Sequence, residues 1–320
     1  MNVSHPEAGS HSRLNDVADE MELATGIRPS VASVPLSAHT TMRVGGPADL
    51  YALVRDTAQL SSLVRFARGH EIPYLVLGRG SDLVVADAGV HGLVILNRAE
   101  GVRIEGTRLV GESGLPLASA ATMAQEAGLT GLEFGLAVPG TVGGAVWANA
   151  GAHGSDVAAV LESATFLRED GTEATEPAAA LGFGYRESRF KHAPGELILG
   201  ATFLLSRDDP AAIRARLAEI RAWRQEHQPL NRPSAGSVFR NPPGDSAGRL
   251  VDACGLRGTR LGGAAISLKH ANFIVNLGEA TAADIRSLGE RARRAVADQF
   301  GIELEFEVQF VGDWSGWSGR

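Results

Sequence analysis

At 320 residues, with 44% hydrophobic and 21% charged side chains, the chain has room for two domains, or three, each with its own apolar core. A net charge of −7 argues against a nucleic-acid surface, so any bound phosphate must be met locally by amides and a few arginines. The single cysteine, Cys254, excludes an intrachain disulfide and any Cys-rich metal site. Nine scattered histidines form no H-x-x-x-H pair, so no metal is expected.

In chain order, residues 1–28 are polar and read as a disordered tail. They lack the apolar core of a signal peptide, and no later run is long enough to span a bilayer, so a cytoplasmic protein with no membrane partner is expected. Leu50–Arg55 reads as a strand, and Thr57 caps a helix with Leu60, Leu63, Val64 and Ala67 on one face. Tyr74–Leu77 is a short buried strand ending at GRGSD, Gly78 to Asp82. Strands follow at Leu83–Ala86 and Leu93–Leu96, and a helix runs from Pro116 to a closing Gly128. A second unit opens with a helix near Ala211–Gln225, striped by Ile213, Leu217, Ile220 and Trp223. Thr281 and Asp284 form a capping box for a helix through Val296. In Ile302–Val311 apolar residues alternate with Glu303, Glu305, Glu307 and Gln309, which predicts a strand with one buried face.

The stretch from Gly131 to Gly154 carries seven glycines, one proline and one charged side chain, Glu133. Linkers are Gly/Ser-rich and polar, whereas this run interleaves Leu, Phe, Val and Trp147. It therefore reads as a packed loop whose peptide N–H groups hold a phosphate or pyrophosphate. GRGSD after a strand, and the turn Thr41-Met-Arg43-Val-Gly-Gly46, suggest further parts of one cradle, although a tight turn explains each singly. Neither long glycine loop fits a P-loop or the dinucleotide fingerprint.

Other candidate residues stay open at this level. Arg186, beside Tyr185, fits a carboxylate-binding cation, but a surface arginine packed on the ring is the simpler reading. Gly236 and Pro242 bracket a tight loop that displays Ser237. It lacks the G-x-S-x-G elbow of a hydrolase, and proton donation to a basic carbanion is reasonable; a structural turn serine is the plainer alternative. Nothing in the periodicity separates Glu307 from Glu303 or Glu305.

Eight segments taken together resemble the UDP-N-acetylenolpyruvoylglucosamine reductase family. They are TTMRVGGPADL, LGRGSDLVVAD, GLEFGLAVPGTVGGAVWANAGAHG, FGYRESRFK, PSAGSVFRNP, AGRLVDACGLRG, ISLKHANFIVN and GIELEFEVQFVG, in family order from about residue 37 to 312. The resemblance implies an α+β protein with a vanillyl-alcohol-oxidase (PCMH)-type FAD-binding domain over 29–207. A smaller α/β substrate-binding domain would cover 208–302, and 303–320 would hold a closing strand that returns to the first domain, plus a tail.

The implied cofactors are non-covalent FAD and NADPH as hydride donor. The implied reaction reduces an enolpyruvyl nucleotide sugar to UDP-N-acetylmuramate in peptidoglycan precursor synthesis, with no obligate protein partner. FAD would be held by Arg43, Gly45, Gly46, Gly78, Arg79, Gly80, Ser81, Asp82, Pro139, Gly140, Thr141, Gly143, Gly144, Asn149 and Gly151. By the same resemblance Ser237 donates a proton to C2 of the substrate, while Arg186 and Glu307 stabilise its enolate. Glu307 would need to be protonated, since an ionised carboxylate repels an enolate. Tyr185, Arg240 and Asn241 match substrate-contacting positions. The short span between Arg186 and Ser237 resembles the branch without a mobile tyrosine-loop insertion. Gln309 and Leu268 depart from the common pattern, and Trp314–Arg320 match no family role.

Overall fold

A computed structural model describes residues 7–319. The first helix, α1 (Glu7–Thr25), occupies most of the stretch expected to be a disordered tail. Leu14, Val17, Ala18 and Met21 follow one another at helical spacing, and Ala18 and Met21 are fully buried. This sparse stripe docks on α2 (Thr57–Gly69), which is why a polar segment is held in place.

The first sheet joins β1 (Pro47–Val54), β2 (Tyr74–Leu77) and β4 (Val90–Asn97), with β4 central and parallel to both neighbours. Between β2 and β4 the short β3 (Leu83–Val85) leaves this sheet. Asp56, one residue before the expected Thr57, caps α2 by accepting from the Gln59 amide.

The second sheet is antiparallel, in the order β8 (Glu173–Pro177), β7 (Leu161–Leu167), β9 (Leu197–Leu204), β6 (Arg108–Glu112), β5 (Val102–Glu105). Helices α3 (Leu117–Glu126) and α4 (Val142–Ala148) contribute to its core, with Phe166, Phe203, Leu117 and Val146 fully buried. The glycine-rich run is thus partly helical rather than a continuous loop. Thr141 caps α4, and Asn149 ends it with a left-handed φ of 42°.

Helix α5 (Pro210–His227), expected to open the second domain, packs on the first. Arg216 pairs with Glu133 and Asp208, and Arg224 donates to Leu136 O. The remaining unit comprises α6 (Ala247–Ala253), β10 (Ala264–Ile266), β11 (Ile274–Asn276) and α7 (Ala282–Phe300), whose Thr281–Asp284 capping box is present. Its core includes Met42, Val44 and Val84 of the first domain. The amides of Ala282 and Ala283 bind Asp87, and Thr41 Oγ1 donates to Ser234 O at 2.7 Å.

The alternating segment after residue 301 is extended, but only β12 (Gln309–Val311) forms a regular strand. It pairs in parallel with β3, so this late segment of the chain lies against a strand of the first half. No described helix is long and apolar enough to cross a membrane.

Candidate active site

Three glycine-containing turns converge at the C-terminal end of β2. A Cβ on Gly78 would lie 2.8 Å from Thr141 Oγ1, and one on Gly140 would lie 3.3 Å from Ser81 Oγ. Gly80, at φ +58°, brings its own backbone so close to the preceding turn that a Cβ would sit 2.6 Å from His39 O. Thr41 N donates to Gly80 O, and Arg98 Nη1 to Gly78 O. The loop is therefore held by its carbonyls. Among the described residues, the amides of Arg79, Gly80, Ser81 and Asp82 donate to no protein acceptor. Such a set of aligned donors suits an anion.

Beside this loop lies a groove of about 540 Å³ lined by His39, Thr40, Thr41, Arg43, Arg79, Arg98 and Arg232. None of its four arginines pairs with a described carboxylate. Burial and the neighbouring Arg98 hold the His39 imidazole below its usual range. Amide donors and unpaired guanidinium groups together fit the diphosphate of a dinucleotide such as FAD.

The structure divides the other expected cofactor residues by what they touch. Gly45 and Gly46 are required by close packing, since added Cβ atoms would meet Val85 at 2.8 Å and Asp87 O at 2.1 Å. The Gly143 amide is already used by Ser113 O and the Gly144 amide by Thr141 Oγ1, while a Cβ added to Gly144 would meet nothing closer than Thr141 Oγ1 at 3.8 Å. Pro139 precedes Gly140 at the rim. Asn149 is a buried brace: its amide nitrogen donates to Gly184 O and Asp156, and its oxygen accepts from Ala158 N. Gly151 presents its carbonyl to Arg186 Nη2 at 2.8 Å.

Arg186 is the pivot of the second cluster. Its own φ is +55°, its Nε donates to Glu307 Oε1 at 2.7 Å, and its carbonyl accepts from Lys191 Nζ at 2.6 Å. Lys191 in turn lies over the Trp147 ring, 4.6 Å from its centroid. Ser237 joins through its neighbour. Val238 O accepts from the Glu307 amide at 2.8 Å, and Val238 N and Phe239 N donate to the backbone and side-chain oxygens of Asn272. The Ser237 loop is thus tied through Val238 O to the segment that carries Glu307, and Glu307 pairs with Arg186.

Tyr185 is exposed, with the Arg186 guanidinium 5.3 Å from its ring centroid, and its Oη accepts from Asn241 N. Arg240 stands between Glu187 and Glu305 at 3.5 and 3.6 Å, and its buried Nε has no partner. The Asn241 side chain accepts from Ala247 N at the start of α6.

Sequence reasoning assigned no role to Lys191 or Asn272, although both lie within quoted motifs. It also gave Asp82 only a cofactor contact. The carboxyl of Asp82 is pushed up to about 8, first by burial and then by Glu307, against the pull of Lys191, Arg186 and Arg240. A neutral acid at neutral pH therefore stands beside the Arg186–Glu307 pair.

Residues 48–175 match the FAD binding domain model, and residues 228–311 match the C-terminal domain model of UDP-N-acetylenolpyruvoylglucosamine reductase. The reductase of Moorella thermoacetica is 44% identical over 294 residues, 91% of this chain and 97% of that protein. The chain belongs to the UDP-N-acetylenolpyruvoylglucosamine reductase family. Within the family, reductase 2 of Symbiobacterium thermophilum is also 44% identical, over 87% of this chain and 91% of its own length. The crystal structure of the UDP-N-acetylenolpyruvylglucosamine reductase from Thermus caldophilus superposes with a TM-score of 0.76 at 39% identity. The match covers 89% of this chain and 99% of that one. The family's FAD-binding domain and its C-terminal domain are the two units whose junction carries the clusters above.

Proposed function

We propose that this protein reduces UDP-N-acetylglucosamine enolpyruvate to UDP-N-acetylmuramate, an FAD- and NADPH-dependent step of peptidoglycan precursor synthesis in the cytoplasm. The observation that carries the site assignment is the meeting of Arg186, Glu307 and the Ser237 loop at the domain junction, linked at 2.7 Å and 2.8 Å. Bound FAD would supply the hydride chemistry, relaying two electrons from NADPH to the vinyl methylene carbon of the substrate.

The chain's own residues hold the cofactor and manage the charge. Loop amides 79–82 and the arginines of the adjoining groove hold the diphosphate, with Ser81, Gly140, Thr141 and Gly144 completing the cradle. Arg186 binds the substrate carboxylate, where negative charge grows as the double bond is reduced. Glu307 fixes the direction of that guanidinium from one side, and Gly151 O fixes it from another. Ser237 donates its hydroxyl proton to C2, so hydride and proton together complete the addition across the double bond. A neutral carboxyl at this junction comes instead from Asp82, which keeps its proton through neutrality and so can stand near an enolate without repelling it. Tyr185, Arg240 and Asn241 line the approach of the nucleotide sugar.

The test separates the two half-reactions under anaerobic conditions. NADPH should bleach the flavin of both wild type and Ser237→Ala, while the enolpyruvyl sugar nucleotide should restore the colour only in wild type. Equal recovery in the serine variant would remove Ser237 from the proton-donor role. Absence of a yellow, dissociable flavin would overturn the reading at its first step.

A further inference from the structure

Trp314 and Trp317, which matched no family role, pack around one side chain of α7. The Arg286 guanidinium carbon lies 4.0 Å from the Trp317 ring centroid, 4.6 Å from Trp314 and 5.0 Å from Phe310. Its Nε is buried and has no hydrogen-bond partner. Among the described residues it has no carboxylate partner either, so the aromatic faces are the main compensation for this half-buried cation. Both indoles are tied down: Trp314 Nε1 donates to Val311 O, and Trp317 Nε1 donates to Ser287 Oγ.

The same face of α7 continues towards the active site. A Cβ on Gly289, one turn beyond Arg286, would meet Phe306 Cε1 at 2.8 Å, so this glycine lets the Phe306 ring lie against the helix. Arg293, a further turn on, lies over the same ring at 5.8 Å. Phe306, Phe310, Trp314 and Trp317 form a run of edge-to-face contacts along α7. Glu307 follows Phe306 directly, and in extended chain the two side chains point to opposite sides. With Phe306 seated on α7, Glu307 faces Arg186. A slip of one residue would turn Glu307 towards the helix. Regular pairing against such a slip is short: three residues of β12 on β3, one isolated Phe239–Phe306 bridge, the amides of Glu307 and Val308 on Val238 O, Gln309 N on Asp82 O, and Arg240 N on Glu305 O.

We propose that the Trp314–Trp317 clasp on Arg286 is a positioning device that locks the register of the strand carrying Glu307. The inference rests on Glu307 acting in the reduction of the sugar nucleotide. It assigns positioning roles to Trp314, Trp317 and Arg286, none of which reaches the site itself.

The test uses the FAD-loaded full chain and stopped-flow kinetics. Trp314→Ala/Trp317→Ala should slow reoxidation of the reduced flavin by the enolpyruvyl substrate about tenfold or more. Reduction by NADPH should stay within about twofold of wild type, since Glu307 serves only the later step. Trp317→Phe should restore most of the lost rate by restoring an aromatic face. In a Glu307→Gln background the clasp mutations should add little further loss, because both then act on the same group. Full-rate reoxidation in the double-alanine variant overturns the proposal, and so do equal losses in both half-reactions or additive losses with Glu307→Gln. If the double variant fails to fold, Trp317→Ala and Arg286→Lys carry the same comparison. A wild-type rate for Glu307→Gln in the otherwise intact chain defeats the underlying reading instead, and so is distinguishable.

Discussion

Replacing Asp82 with asparagine probes the electrostatics of the junction most directly. Asparagine has nearly the shape of a neutral aspartic acid and cannot ionise. The Asp82 carboxyl is pushed from 3.8 to about 8, so in the folded chain it keeps its proton through neutrality. As pH rises above the unfolded value, the unfolded chain releases this proton while the folded chain holds it, and stability falls. The loss is absent below 3.8, grows through the interval up to about 8, and levels off once the folded group also ionises. Each pH unit in that window is worth about 1.4 kcal/mol, so between about pH 4.5 and pH 8 Asp82 removes about 4 kcal/mol. The asparagine variant is spared this term. Chemical denaturation of the two flavin-free proteins across that range should give curves that diverge as pH rises, with the variant more stable at the alkaline end. An infrared band of a protonated carboxyl, present in wild type at pH 7 and missing in the variant, would identify the group. Parallel stability curves would refute the argument, because they would mean that burial and Glu307 do not hold a proton on Asp82.

Two further outcomes follow from the geometry. Arg186→Ala removes the fixed positive charge aimed at the substrate carboxylate and should lower the rate of sugar-nucleotide reduction by about 10²–10³-fold; a single-turnover rate within tenfold of wild type would contradict that assignment. Gly80→Ala forces a side chain into a left-handed position at φ +58°, 2.6 Å from His39 O. It should destabilise the flavin-free protein by about 1–3 kcal/mol and weaken FAD retention, and unchanged thermal unfolding together with unchanged flavin affinity would show that the loop can relax.

Sequence alone determined the parts whose information is local or spread over many colinear residues. Tyr74–Leu77 was legible as a strand because four apolar residues end abruptly at a glycine turn, although only Leu77 is fully buried there. The start of α7 was legible because the Thr281–Asp284 box is written in neighbouring residues. The family, and with it the fold and the reaction, was legible because eight motifs occur in one order. The sparse stripe of α1 was too weak to be seen without the surface of α2 that receives it, so a polar segment passed for a tail. Likewise, nothing in residues 131–154 says that Thr141 begins a helix, since the hydrogen bonds from Val142 and Gly143 go to residues 113–115.

The candidate catalytic cluster lay furthest from view. Glu303, Glu305 and Glu307 share one alternating pattern, and only the docking of Phe306 on Gly289 and the bond from the Glu307 amide to Val238 O decide that Glu307 meets Arg186. The neutral Asp82 and the cage around Arg286 are likewise properties of burial and of neighbours distant in the chain. Short-range rules set which residues turn, cap and alternate. Which charges share one low-dielectric junction was settled when the end of the chain came back to β3.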